Sequence, residues 1–363
     1  MVMREKVMGS GAGWQVRIGR VRRRRKIPIK HRLNAAIHFA HNHDVYSADA
    51  PVPAFRHQVH RLSDPEQFGI AVSGATLTAD FLSPQREPTI VEQFQAPDWT
   101  LDFHEAHVKA RLFAPLPAGW ASLGLMRSPA ASAWYGVDAG KGMLACNPPG
   151  EPIDGWISPG FSCLAVNVPP AVWERCRALA GTDRGLTGFA AFHLPPPVYQ
   201  RIERQLLATR HLLRAATDNP ALAALAAHEA ASFATEMVTD VCALVDRAAV
   251  PRDSFRNRIR VARRAESWMR GHLAEAVQVP DVCLALHVSR RELEYAFRTA
   301  FDQSPRAFLQ ALRLNAIRRV LRATGMPVTQ VAFDHGITHL GRFAANYRSL
   351  FGESPGGTGR NNS

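Results

Sequence analysis

The feature that most constrains this chain is a helical unit that occurs twice near its C-terminal end. Phe301-Asp302-Gln303-Ser304-Pro305 is echoed by Phe351-Gly352-Glu353-Ser354-Pro355. Each string closes a short helix, a turn and a second, amphipathic helix. In the first unit Pro280 opens a helix over Asp281 to Leu286, and His287-Val288 turns the chain. Ser289 is a good N-cap, and Glu292 three positions on completes a capping box. The following helix, Arg290 to Phe301, sets Leu293, Ala296, Phe297 and Phe301 on its inner face. Its outer face shows Arg290, Arg291, Glu294, Tyr295 and Arg298. In the second unit Pro327 opens a helix through Val331, Ala332 and Phe333, and Gly336 makes the turn. Thr338 then caps a helix from His339 to Leu350 that buries Leu340, Phe343, Tyr347 and Leu350. Gly352 and Pro355 end it.

Two helix-turn-helix units on one connecting helix have a physical logic. Adjacent major-groove faces of B-DNA lie about 34–36 Å apart. The connecting helix, Arg306 to Arg322, has 17 residues and reaches roughly 25 Å at about 1.5 Å per residue. Units set at its two ends reach two successive major grooves. One such motif is a moderate signal, because many helical pairs mimic it; two in tandem with matching ends are strong. A helix from about Arg256 to Leu273, with Ile259, Ala262, Ala265, Trp268 and Met269 on one face, precedes them.

The charge distribution agrees. The 363-residue chain has a formal net charge of +13. Residues 1–32 hold eleven Lys/Arg against Glu5, and residues 256–363 hold seventeen Arg against eight acids. The intervening residues 33–255 therefore carry −6. A basic domain of this kind is the electrostatic footprint of a polyanion binder. The N-terminal block, with Arg22-Arg23-Arg24-Arg25-Lys26 among glycines, has no apolar periodicity and repels itself. It reads as a disordered basic extension over residues 1–50, dispensable for the fold.

From residue 51 to 195 the pattern is β-rich. Short runs bounded by Gly and Pro include Gly69 to Ser73, Ala75 to Phe81, Thr100 to Phe103 and Cys163 to Val168. They predict an antiparallel sandwich or barrel, with one helix from Ala171 to Ala180. After Pro195-Pro196-Pro197 the chain turns helical up to Thr217, breaks at Asp218-Asn219-Pro220, and continues from Ala221 to about Ala248. Residues 196–250 read as a connector that dimerises or that packs on the β domain. The fold class is thus α+β, ending in an all-α domain over 251–358.

The strings Val288-Ser289-Arg290-Arg291-Glu292-Leu293, Phe297-Arg298, Leu312-Arg313-Leu314, and Gly336-Ile337 through Phe343, Tyr347 and Pro355 resemble the DNA-binding domain of AraC/XylS transcriptional regulators. The run His339-Leu340-Gly341-Arg342-Phe343-Ala344 is similar to a subgroup that includes ethanolamine-utilisation regulators. The resemblance implies a bacterial protein, a seven-helix DNA-binding domain and an N-terminal sensor, often cupin-like. Asp302 stands where the family commonly has Gly, and Asp tolerates the left-handed conformation needed there. Tyr295 and Ala345 stand where Arg is frequent, and Glu294 is acidic on a DNA-facing surface. Gly356-Gly357-Thr358 replaces the usual continuation of the last helix.

The expected function is sequence-specific DNA binding in transcription regulation, not catalysis. The DNA-facing side chains are Ser289, Arg290, Arg291, Glu294, Tyr295 and Arg298 in the first unit, and Thr338, His339, Arg342 and Asn346 in the second. Trp120, Trp134, Tyr135 and Phe161, at turns or strand ends of the β region, are candidates for an effector pocket. The expected partners are double-stranded operator or promoter DNA, RNA polymerase, a small-molecule effector and a second copy of the chain. No membrane partner is expected, and the location is cytoplasmic, at the nucleoid.

The alternative is a cupin-type metal-dependent enzyme or metal sensor with a basic helical appendage. Such a site wants two histidines two apart on a strand, then a carboxylate and a further His. His41 and His43 have that spacing but lie in the extension; His104 and His107 are three apart, on opposite faces of a strand. No metal or cofactor is expected. No G-x-S-x-G, H-E-x-x-H, P-loop or dinucleotide fingerprint occurs. Cys146, Cys163, Cys176, Cys242 and Cys283 form no C-x-x-C and read as reduced thiols.

Overall fold

A computed structural model describes residues 55–129, 131–181, 186, 188–244 and 253–360. The basic extension over 1–50 lies outside the described residues. The β region forms two antiparallel sheets. The seven-stranded sheet has the order β1 (Arg56–Leu62), β3 (Thr89–Ala96), β4 (Trp99–Ala106), β11 (Phe161–Val168), β6 (Ala121–Met126), β9 (Met143–Asn147) and β12 (Ala190–His193). The five-stranded sheet has the order β2 (Thr78–Phe81), β5 (Ala110–Ala114), β10 (Ile153–Ile157), β7 (Ala133–Trp134) and β8 (Val137–Asp138). Gly69 to Ser73 is not a strand. Asp64 and Pro65 start a 3₁₀ helix over Pro65–Ile70, with Gln67 accepting from the Ser63 and Asp64 amides, so this apolar run enters the core as a turn.

The inner faces of the two sheets share one apolar core, with Phe68, Val91, Leu112, Trp134, Met143 and Phe161 among its members. Successive side chains of a strand point to opposite faces, and here both faces are covered. In β11, Cys163, Ala165 and Asn167 face the other sheet, while Leu164, Val166 and Val168 join a second apolar cluster outside. That outer cluster is closed by α1 (Pro170–Ala180), α2 (Pro196–Thr217) and α3 (Pro220–Ala243) through Trp173, Leu206, Leu213, Phe233 and Val238. The helices Pro196–Thr217 and Pro220–Ala243 therefore pack on the β domain.

The C-terminal region has seven helices among the described residues: α4 (Asp253–Gly271), α5 (Val279–Leu286), α6 (Arg290–Phe301), α7 (Pro305–Thr324), α8 (Val328–Asp334), α9 (Leu340–Phe351) and the short α10 (Pro355–Arg360). Asp302 adopts φ 48° and Gly352 φ 74° at the ends of α6 and α9, so the two echoed strings make the same left-handed turn. Capping agrees in part. The Ser289 hydroxyl accepts from the Glu292 amide at 3.1 Å, but His339, not Thr338, is the N-cap of α9, and its side chain makes no cap bond.

Helix α7 departs furthest from a simple amphipathic reading, because Asn315 and Arg318 are buried beside its apolar row. The reason is that the outer face of the five-stranded sheet docks on α4 and α7. Along β5, Leu112 points into the sandwich and Arg111 out of it; along β10, Ile153 and Ile157 point in and Asp154 and Trp156 out. Arg111 donates to Glu266 of α4 at 2.9 Å and lies 2.7 Å from Asp154. Burial works against its charge, but Glu266 and Asp154 outweigh that and hold the guanidinium above the ordinary arginine range. Arg270 reaches Asp80 of β2 at 2.6 Å, Arg319 pairs with the same carboxylate, and Arg263 pairs with Asp154. Asn315 bonds both the amide and the carbonyl of Phe81 at 3.0 Å, taking the place of a strand at the β2 edge. Arg318 holds Asp64 at 2.5 Å, Glu66, and Glu353 at 3.1 Å. Gly136 at φ 79° lets the β7–β8 turn lie on Ile259, where any Cβ would collide.

Candidate nucleic-acid interface

The first unit turns at His287, which takes φ 53°, with the Val288 amide closing on Cys283 O at 3.1 Å. Helix α6 then buries Leu293, Ala296, Phe297 and Phe301 in the cluster that also holds Phe308 of α7. Its remaining face is open: Ser289, Arg290, Arg291, Tyr295 and Arg298 are exposed, and Glu294 is half-buried. The Tyr295 ring lies under the guanidinium groups of Arg291 (5.9 Å) and Arg258 (5.7 Å).

In the second unit Gly336 adopts φ 68°, and a Cβ there would fall 2.6 Å from Glu275 O. This turn therefore abuts the loop between α4 and α5. Arg313 of α7 donates to Glu275 O and Val277 O of that loop at 3.0 and 3.1 Å, so the two units are fixed to each other through it. Helix α9 buries Phe343, Tyr347 and Leu350 and exposes Thr338, His339 and Arg342 at its start, with Asn346 half-buried. Tyr347 shares a hydrogen bond with Thr358 at 2.8 Å, which pins α10 on the back of α9.

Between the two outward helices runs an open groove. It is lined by Arg290 and Glu294 of α6, Arg306, Gln310 and Arg313 of α7, and Thr338, His339, Arg342 and Asn346. Four arginines face one carboxylate there. The sequence reading did not single out Arg306, Gln310 and Arg313; their spacing along one face of the connecting helix was the available signal. Helix α7 has 20 residues, a length of about 30 Å. The docked sheet covers the opposite side of this region, through Asn315, Arg318 and Arg319, and leaves the groove clear.

A second cavity, of about 80 Å³, lies between the two sheets. Trp134 and Phe161 line it; Trp120 and Tyr135 do not. Trp120 sits in the turn after Pro117, half-exposed. Tyr135 forms, with Gly136, the two-residue turn between β7 and β8. Its ring leaves the sandwich to stack on Phe189 at 4.6 Å under the Arg263 guanidinium. His104 faces the cavity, and burial pulls it down to about 4, so it is neutral at physiological pH. His107 does not line the cavity, and no group of three His, Cys, Asp or Glu suited to a metal occurs among the described residues.

A family model described as a helix-turn-helix domain matches residues 282–361. The XylDLEGF operon transcriptional activator of Pseudomonas putida is 39% identical over 74 residues, covering 20% of this chain and 23% of that protein. The HTH-type transcriptional regulator CdhR of Pseudomonas aeruginosa is 33% identical over 87 residues, 24% of this chain and 26% of that protein. The chain thus spans about a quarter of the length of these relatives. Among solved structures, a probable AraC family transcriptional regulator from Rhodopseudomonas palustris is 28% identical, with 28% of this chain and 97% of that chain covered at a TM-score of 0.27. The AraC-like transcriptional activator CuxR is 13% identical, with 77% of this chain and 100% of that chain covered at a TM-score of 0.34. With its two linked units, seven helices among the described residues and the match over residues 282–361, the C-terminal region of this chain is a helix-turn-helix domain, similar in sequence to that of the XylDLEGF operon activator.

Proposed function

We propose that the chain is a sequence-specific DNA-binding regulator of transcription whose two helix-turn-helix units enter successive major grooves of one duplex. The observation that carries this reading is the pair of open helices, α6 and α9, flanking one arginine-lined groove at the two ends of α7. Arg290, Arg291 and Arg298 meet phosphates and base edges in the first groove. His339, Arg342 and Asn346 do so in the second, since Arg donates twice to a guanine edge and Asn donates to adenine N7 while accepting from its N6 amino group. Ser289 and Thr338 contact backbone phosphates at the helix starts, and Glu294 and Tyr295 restrict which bases are accepted.

The β region acts as the sensor, holding a small-molecule effector between its sheets. The effector acts through the docked five-stranded sheet, whose inner side chains line the cavity while their neighbours touch α4 and α7. A ligand alters DNA binding only through differential affinity for two arrangements of these parts. A homodimer, contact with RNA polymerase and a cytoplasmic, nucleoid-associated location complete the reading.

The test is selection of genomic fragments by the full chain at moderate salt, followed by footprinting. Protection of two segments about one helical turn apart on one duplex is expected. Arg342→Ala is expected to lose about 1–3 kcal/mol on the selected site and to relax specificity at one position. Equal weakening on the selected site and on random DNA would remove Arg342 from base reading.

A further inference from the structure

The register of the seven-stranded sheet explains why a void exists and what it is lined with. Ala165 of β11 pairs with Gly124 of β6, which pairs with Ala145 of β9. All three face inward, and this row of small residues opens the space. One step along, Asn167 pairs with Ser122 and Ser122 with Asn147, so a polar row borders the void. The opposite wall is apolar, with Leu77, Leu112, Ile153 and Ile157.

Asn167 is 1% exposed, and its Oδ1 has no hydrogen-bond partner. The orientation of the amide is fixed from behind. Asn167 Nδ2 donates to Thr100 Oγ1 at 2.8 Å and to Asp102 Oδ2 at 2.9 Å, and a carboxylate can only accept. The atom left over is therefore an acceptor, and a buried acceptor without a donor is rare enough to need a reason. Among the described residues no Lys or Arg lines the cavity. His104 adds no charge there, since burial holds it at about 4. Asp102, fully buried behind Asn167, is pushed up to about 6 by burial against the bonds from Ser73 and Asn167, so it is mostly anionic at neutral pH.

We propose that this cavity binds a small uncharged alcohol, with its hydroxyl donating to Asn167 Oδ1 and its apolar body over Ala165, Gly124 and Ala145. The inference deepens the reading of the cavity as the effector site and rests on it. A carboxylate would enter a buried site with no Lys or Arg among the described lining residues and with Asp102 behind the asparagine. An aldehyde or ketone could accept from Trp134 Nε1, which belongs to a lining residue and likewise lacks a protein partner, but it brings no proton for Oδ1. Size sets a further limit. An engineered apolar cavity of roughly 150 Å³ holds benzene, and this one measures about 80 Å³.

The experiment uses the full chain without DNA and matched probes of equal length that respect this limit: ethanol against acetate, and 1-propanol against propionate. Binding is read as a saturable change in tryptophan fluorescence, since Trp134 lines the cavity, and as a rise in Tm. Both alcohols are expected to saturate, and both carboxylates to give no saturable change. Asn167→Leu is expected to weaken the alcohols tenfold or more. Ala165→Leu, which fills the void from the next inward-facing position of the same strand, is expected to abolish the response. Acetate or propionate binding as tightly as its alcohol, or no saturable response to either alcohol in the unmodified chain, overturns the proposal. Because no DNA is present, that failure leaves the footprint untouched, whereas alcohol binding without a footprint overturns the regulatory reading alone.

Discussion

Both sheets of the β region cover an outer face with helices, and they do so with opposite chemistry. The seven-stranded sheet meets α1, α2 and α3 through Leu101, Leu123, Leu164 and Val166 against Trp173, Leu206 and Phe233. The five-stranded sheet meets α4 and α7 through Asp80, Arg111 and Asp154 against Arg263, Glu266, Arg270 and Arg319, beside a smaller apolar patch around Trp156. Apolar contact is non-directional and proportional to area. Buried ion pairs cost desolvation and give back most of it only in one geometry. The first seam therefore fastens helices permanently to the β region, and the second specifies one orientation of the helix-turn-helix region at little net stability. A surplus of acid in the middle of the chain and of arginine at its end serves this docking as well as the proposed DNA contacts.

The largest expected effect breaks the charged seam. Glu266→Ala leaves Arg111 and Arg270 short of a partner in a buried site and is expected to cost about 3–5 kcal/mol. Arg111→Met together with Glu266→Leu is expected to recover most of that. Denaturant unfolding should show the loss as early release of the C-terminal region, with the sensor signal unfolding later. Next is the apolar seam. Leu206, fully buried on α2, is expected to cost about 2–5 kcal/mol as Leu206→Ala, and here the sensor should unfold as one unit. A two-step loss in this variant would erase the distinction between the seams.

The third measurement sharpens the contrast by probing the space between the sheets. His104 is held at about 4 by burial, below its unfolded value of about 6.5. The unfolded chain therefore takes up a proton first as pH falls. Stability from neutral His104 is present above about 6.5 and is lost as pH drops toward 4. Relative to His104→Leu, the unmodified chain is expected to lose about 1.4 kcal/mol per pH unit across that window. A flat difference would mean that His104 is solvated. The smallest effect separates the two helix-turn-helix units: Ser289→Ala is expected to cost about 1 kcal/mol, whereas His339→Ala should change stability little, because His339 makes no cap bond.

The helix-turn-helix units were legible because their signals are local. Ser289, Asp302, Gly336 and Gly352 mark caps and turns within a few residues of the helices they bound, and the apolar spacing of Leu293, Phe297 and Phe301 needs no distant partner. The connecting helix was legible in extent but not in environment. Asn315 and Arg318 look like solvent-facing residues until a β strand and three carboxylates from far along the chain meet them. In the sensor, strands with both faces buried lose the alternation that marks a strand, and Gly69 to Ser73 mimics one without being one. The cavity depends on the register of three strands, which no single segment carries. Trp134 and Tyr135 are adjacent, and only the turn decides that one lines the cavity and the other touches Arg263.

The five-stranded sheet is one layer of backbone thick, and its odd and even positions answer to different demands. Inserting or deleting one residue within β10 would exchange the two sets, turning Trp156 inward and carrying Ile153 or Ile157 among the arginines. Relatives with other ligand preferences should therefore diverge in this strand by substitution at every second position, with length held constant. Changes in chain length should gather instead in the turns that flank it.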